Sequence, residues 1–212
     1  MAENTLVSSR AMADLFGVAA EALSYPGETL ATAVADGSLD ASVTHMLGHA
    51  GLEAPLPGGA LHVSGTTGRE LEAEYIRLFD VPDGPVTPLY TGVYARRRRD
   101  AMEELLRFYR YFGLTVSPAQ HDLPDAVPTA LEFLQFLALR DAAGNAQAGL
   151  HSAGADVIGR HLLPWARETL RRMDERKPHS FYRAAIGLVE TVAEAELRRA
   201  EAEVATSSSR GR

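Results

Sequence analysis

Apolar residues recur three and four positions apart through most of this chain, the spacing of helices with one buried face. Met12, Leu15, Phe16, Ala19 and Leu23 share a face between about Ser9 and Ser24, and the run ends at Tyr25-Pro26-Gly27. Weaker helical patterns follow near residues 28–35 and 40–50. A Gly/Pro-rich connector then spans 51–68, and a helix over about 68–79 sets Leu71, Tyr75, Leu78 and Phe79 in a stripe. Residues 80–95, DVPDGPVTPLYTGVYA, read as a loop because prolines and glycines interrupt every period. Asp100 with Glu103 resembles a capping box with Asp in place of Ser/Thr, opening a helix that buries Leu105, Leu106 and Tyr109 and stops at Gly113.

The segment His121–Leu139, HDLPDAVPTALEFLQFLAL, joins a short polar loop to an apolar helix carrying Val127, Ala130, Leu131, Leu134, Leu137 and Ala138 on its core face. Asp122 and Asp125 stand where carboxylates suit a helix start, by capping and by opposing the dipole. A further helix is expected near 152–163. Pro164-Trp165 opens another with Pro in its first turn, and a last one starts at Ser180 with Phe181, Ala185, Leu188, Val192 and Ala195 inward. The clearest alternating run, Leu61-His62-Val63, dies in Gly-Thr-Thr-Gly. The expectation is an all-α fold: one compact helical domain of about nine or ten helices over 1–205, with a disordered tail at 206–212.

Composition narrows the function. With no cysteine there are no disulfides, thiolate zinc sites or iron–sulfur ligands. The net charge of −7 disfavours a general nucleic-acid binder. The first residues show no apolar signal-peptide core, and no run approaches the roughly 18 apolar residues of a membrane span. A cytoplasmic protein is the expectation.

Several residue groups carry candidate chemistry, each against a plainer reading. Asp122, Asp125 and Glu132 can form an acidic patch for a partner's arginines, since Arg–carboxylate pairs are charge-assisted and often bidentate. They can equally cap a helix and face solvent. Tyr75, Leu78, Phe79, Tyr90 and Tyr94 can line a groove for an apolar peptide helix, or pack in the core. Arg96, Arg97, Arg98 and Arg99 can contact phosphate or nucleotide; as a solvated run they sit awkwardly, because cations at a helix N-terminus oppose the dipole. His45 and His49 have i, i+4 spacing but no evident third ligand. His121-Asp122 is the dipeptide of helical metal-dependent phosphohydrolases, which need that pair on a helix with further ligands; Pro124 argues for a loop, and His62 and Asp156 would complete the set only by coincidence. No nucleophile–base–orienter set, complete metal-ligand set or phosphate-binding Gly-rich loop can be assembled, since GTTGRE at 65–70 lacks the Lys-Ser/Thr ending. No cofactor is expected.

Taken in order, several segments resemble the TorD/DmsD/NarJ family of chaperones for molybdenum oxidoreductases. They are EYIRLF at 74–79, the Pro-rich PVTPLYTGVY, the helix end LLRFYRYFGL, LPDAVPTALEFL, and then HLLPWA and HSFYRAA. The resemblance covers about residues 70–190. It mixes features of the nitrate-reductase branch (the Pro after Val127) and the TorD branch (the Tyr-rich loop and the Trp segment). That mixture is similar to the chaperones of dimethylsulfide, ethylbenzene, chlorate or selenate oxidoreductases.

The resemblance implies a non-catalytic cytoplasmic chaperone, monomeric or homodimeric. It would bind the catalytic subunit of a molybdopterin oxidoreductase, possibly at its N-terminal leader peptide, assist cofactor insertion and delay twin-arginine export. It moves partner binding ahead for Asp122, Leu123, Pro124, Asp125, Glu132, Tyr90 and Tyr94. One departure matters: the family's hallmark His is Ala126 here, so an imidazole-mediated or pH-sensitive contact at that position is excluded. The alternative reading is an HD-like metal phosphohydrolase.

Overall fold

The computed structural model describes residues 2–52, 56, 59–80, 87–116, 123–145, 149–175 and 180–210. Its helices are α1 Ala2–Ala22, α2 Glu28–Asp36, α3 Ser38–His49, α4 Gly68–Phe79, α5 Arg98–Tyr111, α6 Val127–Ala142, α7 Leu150–Val157, α8 Leu163–Asp174 and α9 Ser180–Arg210, with a 3-10 turn at Thr91–Tyr94. Among the described residues there is no strand, only one antiparallel bridge, Tyr90 to Ala126. The last helix enters the 206–212 segment, ending at Arg210.

Helix α1 packs most extensively on α6, and α9 lies against α8, α1 and α7. The inward stripes read from the sequence meet here: Leu15, Phe16, Leu131, Leu134, Trp165, Phe181 and Tyr182 are almost fully buried in one core. Losing such an aromatic to Ala costs about 3–5 kcal/mol. Tyr182 also donates its hydroxyl to the Leu71 carbonyl at 2.9 Å, so burying the ring leaves no stranded polar group.

Two expected helix boundaries fall differently. Pro164 does not begin a separate helix. Residues Ile158–Leu162 form a π-turn, with Leu163 N–H bonding the Ile158 carbonyl, and α7 runs into α8 without a break. A proline needs no donor and clashes with the carbonyl four residues back; a wider turn just upstream accommodates both. The described helices therefore form eight separate rods, slightly fewer than expected. The second difference is capping. Asp100 and Glu103 make no box: α5 starts earlier, with Arg97 at its N-cap and no side-chain cap, and Glu103 pairs with Arg99 at 2.9 Å. The capping box belongs to α4, where Thr67 accepts from Glu70 N–H at 3.3 Å and Glu70 accepts from Thr67 N–H at 2.8 Å.

The other end of α5 matches the expectation. Gly113, at φ 78°, turns the chain while its N–H bonds the Arg110 carbonyl at 3.0 Å and Leu114 N–H bonds the Tyr109 carbonyl at 2.8 Å. This Schellman arrangement needs a left-handed residue after the helix. The connector before α4 is also fixed: Asp40 accepts from the N–H groups of Gly59 and Leu61 at 3.1 and 3.0 Å, and Leu61 is buried.

Candidate functional site

The Pro-rich segment reaches the start of α6 because three elements hold its backbone. Thr87 donates its N–H and hydroxyl to the Leu78 carbonyl at the end of α4, each at 3.2 Å. Trp165 of α8 donates its indole N–H to the Pro88 carbonyl at 2.8 Å. The bridge to α6 follows: Val127 N–H bonds the Leu89 carbonyl at 2.9 Å, and Thr91 N–H bonds the Asp125 carbonyl at 2.8 Å. A proline-rich strip cannot supply a full ladder of donors, so it is tied at isolated points.

At this junction lies a charge pair that sequence patterns do not connect. Asp125 is fully buried, and Arg98 holds its carboxylate through two bonds, Nε to Oδ2 at 2.8 Å and Nη2 to Oδ1 at 3.2 Å. The hydrogen bond to Asp125 raises the Arg98 pKa above its ordinary value, against a smaller opposing effect of burial. The Arg98 guanidinium also stacks over the Tyr90 ring, 4.7 Å from its centroid. Gly92 makes room: a Cβ there would lie 2.7 Å from Asp125 Oδ2 and 3.0 Å from Arg98 Cγ. Below the pair, Tyr109 donates its hydroxyl to the Pro124 carbonyl at 3.0 Å. Burial, and then the charges of Asp125 and Glu132, push the Tyr109 pKa up, so it stays a neutral donor.

The placement corrects the expected role of Asp125 as an acid presented to a partner. Its carboxylate faces inward, and it does not cap α6, whose N-cap is Ala126 with no side-chain bond. Ala126 itself is buried, so this position holds a methyl group against the bridge. Leu123 is exposed and Tyr90 and Pro124 are half-buried at the same junction; Glu132 is exposed on α6. Tyr94 turns elsewhere, its ring under Arg172 of α8 at 4.9 Å. Asp122, with His121, lies outside the described residues. Of the arginine run, Arg98 is committed to Asp125 and Arg99 to Glu103, leaving Arg96 and Arg97 exposed.

Tyr75 and Phe79 stack in an aromatic cluster with Tyr182, ring centroids 5.1 to 6.1 Å apart, which makes that part of the expected groove core packing. His62 faces the Ala35 carbonyl and Asp156 pairs with Arg160, so neither is turned to a shared metal. Among the described residues no group of three His, Cys, Asp or Glu could hold a metal ion. Thr91 Oγ1 and the Asp125 carboxylate are each engaged, by a carbonyl and a guanidinium, so neither is set up as nucleophile or base. The arrangement fixes a surface in place. The support given by Arg98, Gly92 and Tyr109 escapes a reading of the sequence, which takes Arg98 as a candidate phosphate contact and Tyr109 as core; the one visible signal is the misplaced charge run at a helix start.

Residues 36–171, which include the whole junction, match the family described as nitrate reductase delta subunit. The chain is 32% identical over 199 residues to the chlorate reductase assembly chaperone protein of Ideonella dechloratans, covering 89% of this chain and 91% of that one. It is 36% identical over 118 residues to the selenate reductase assembly chaperone protein of Thauera selenatis, covering 51% and 60%. With the perchlorate reductase assembly chaperone protein of Dechloromonas aromatica it shares 27% identity over 205 residues, 89% of each chain.

Proposed function

The chain belongs to the nitrate reductase delta subunit family, and we propose that it is a system-specific assembly chaperone for the catalytic subunit of a molybdopterin oxidoreductase. The observation that carries this reading is the 32% identity to a chlorate reductase assembly chaperone across about nine-tenths of both chains. The protein works by binding and is not an enzyme. It holds the immature subunit competent for cofactor insertion in the cytoplasm and delays export until assembly is complete. The free energy comes from binding the immature partner more tightly than the mature one. No helix among the described residues is long and apolar enough to cross a membrane. Three relatives named as assembly chaperones weigh against the phosphohydrolase alternative.

In this reading the client, through its leader peptide, meets the surface around the Tyr90–Ala126 bridge. Leu123 and Tyr90 supply apolar contact, Asp122 and Glu132 supply charge, and Asp125 acts from behind by fixing Arg98 and the loop. Exposed Leu123 and Val93 beside a tied backbone support this: apolar groups there are held out at little further entropic cost. The test is copurification. The tagged chain, expressed in its own cell, retains a catalytic subunit free of molybdenum cofactor, and loading the cofactor releases it. A strain lacking the chain that still loads and exports its reductase normally would overturn the reading.

A further inference from the structure

Arg96 and Arg97 stand clear of the Asp125 pair. With Arg107 they line a cleft of about 620 Å³ between the first turns of α5 and the π-turn, closed on its far side by Arg160 and His161. Two carboxylates also line it, and they differ. Glu104 is neutralised where it stands by Arg160 at 2.6 Å, and it accepts a hydrogen bond from His161 Nε2 at 3.1 Å. Asp100 has no ion pair among the described residues, and neither do Arg96, Arg97 and Arg107. The cleft thus offers three uncommitted guanidinium groups against one uncommitted carboxylate.

Folding does not account for this concentration of positive charge. Arg97 is the N-cap of α5 and makes no side-chain cap, so in the first turn only the charge of Asp100 offsets the positive end of the helix dipole. Cations placed there oppose that dipole and repel one another. A ligand carrying negative charge relieves both.

We propose that this cleft is a docking surface for an acidic segment of a partner protein, whose carboxylates pair with Arg96, Arg97 and Arg107. The spacing selects this class. Arg97 and Arg107 lie ten positions apart on or beside one helix, about 15 Å along its axis, farther than a single phosphate reaches. A dense polyanion such as nucleic acid meets Asp100 and a chain of net charge −7. An acidic peptide, with carboxylates spaced along a neutral backbone, passes Asp100 and reaches the arginines on either side. The proposal is independent of the client surface at Tyr90 and Leu123.

The probe is a fluorescein-labelled alternating Glu-Ala peptide of about eight residues, long enough to span the arginines. It is titrated into the full chain at low salt, with fluorescence anisotropy as readout. Saturable binding is expected, and it weakens as salt rises. The combined change Arg96→Gln, Arg97→Gln and Arg107→Gln raises Kd roughly tenfold. All three residues are exposed, and circular dichroism checks that the variant is folded. Asp100→Asn is expected to tighten binding about twofold, a gain that no folding defect imitates. Absence of saturable binding would overturn the proposal, as would equal affinity for a Gln-Ala peptide, an unchanged Kd in the triple variant, or inorganic phosphate competing as well as the peptide does.

Discussion

Asp125 and Arg98, 27 positions apart, meet through two hydrogen bonds of 2.8 and 3.2 Å, and the acid is wholly buried while the base is 41% exposed. The asymmetry sets what each residue does. Arg98 covers the carboxylate from the solvent side, and Tyr90 stacks on Arg98, so one pair clamps the Pro-rich loop onto the start of α6.

Removing either partner should therefore cost fold stability. Asp125→Asn keeps the shape and loses the charge-assisted bonds, an expected loss of about 1–3 kcal/mol in urea unfolding. Arg98→Ala leaves a buried carboxylate without its partner and should cost more, on the order of 3 kcal/mol. Wild-type unfolding midpoints for both variants would show that the pair does not clamp the loop.

Gly92 is required by space. Gly92→Ala puts a methyl group against Asp125 Oδ2 and Arg98, and overpacking of that kind costs about 1–3 kcal/mol. Gly48, exposed within α3, has open space where a methyl group would sit, with nothing within 4 Å, so Gly48→Ala should stabilise by about 0.5–1 kcal/mol. Thermal melts of the two variants should move in opposite directions.

The helix caps give a third comparison. Thr67→Ala should lower stability by about 1 kcal/mol because it opens the α4 capping box. Asp100→Ala removes only a favourable charge in the first turn of α5, at most a few tenths of a kcal/mol. Chemical denaturation that ranks them the other way would contradict the assigned boundaries.

His161 provides a pH signature. Burial lowers its pKa below the ordinary 6.5, only partly offset by Glu104. Between the folded and unfolded values the unfolded chain binds more protons, so stability is lost as pH falls below about 6.5. His161→Gln should flatten that part of the profile. The check is melting temperature against pH from about 7.5 to about 5, the range in which an imidazole titrates; an unchanged slope in the variant would assign the titration to other groups.

Client binding should respond to the exposed part of the junction. Leu123→Asp is expected to weaken binding of the catalytic subunit at least roughly tenfold, a loss larger than any change in melting temperature accounts for, because the side chain reaches the surface. Calorimetric titration with the purified subunit measures it. Full affinity would move recognition away from this surface.

The periodic apolar stripes determine the helices by themselves, because a buried face on a 3.6-residue repeat is a local property of the chain. The helix-breaking glycines and prolines set most of the ends, as at Gly27, Gly37 and Gly113. The family is legible for the same reason: its motifs are short segments in a fixed order. The capping box Thr67-Gly-Arg-Glu70 is equally local, yet it hides in a stretch whose glycines and prolines read as connector. Charge partnership is different. Whether Asp125 caps a helix, meets a partner or pairs internally depends on which side chain arrives from 27 residues away, and electrostatic energy depends on burial that no local pattern encodes. The same holds for Pro164, whose helix continues because the π-turn and the buried neighbours of Trp165 hold it on course. Tertiary structure decided which charges are committed and which remain open, since only packing determines how far water reaches each one.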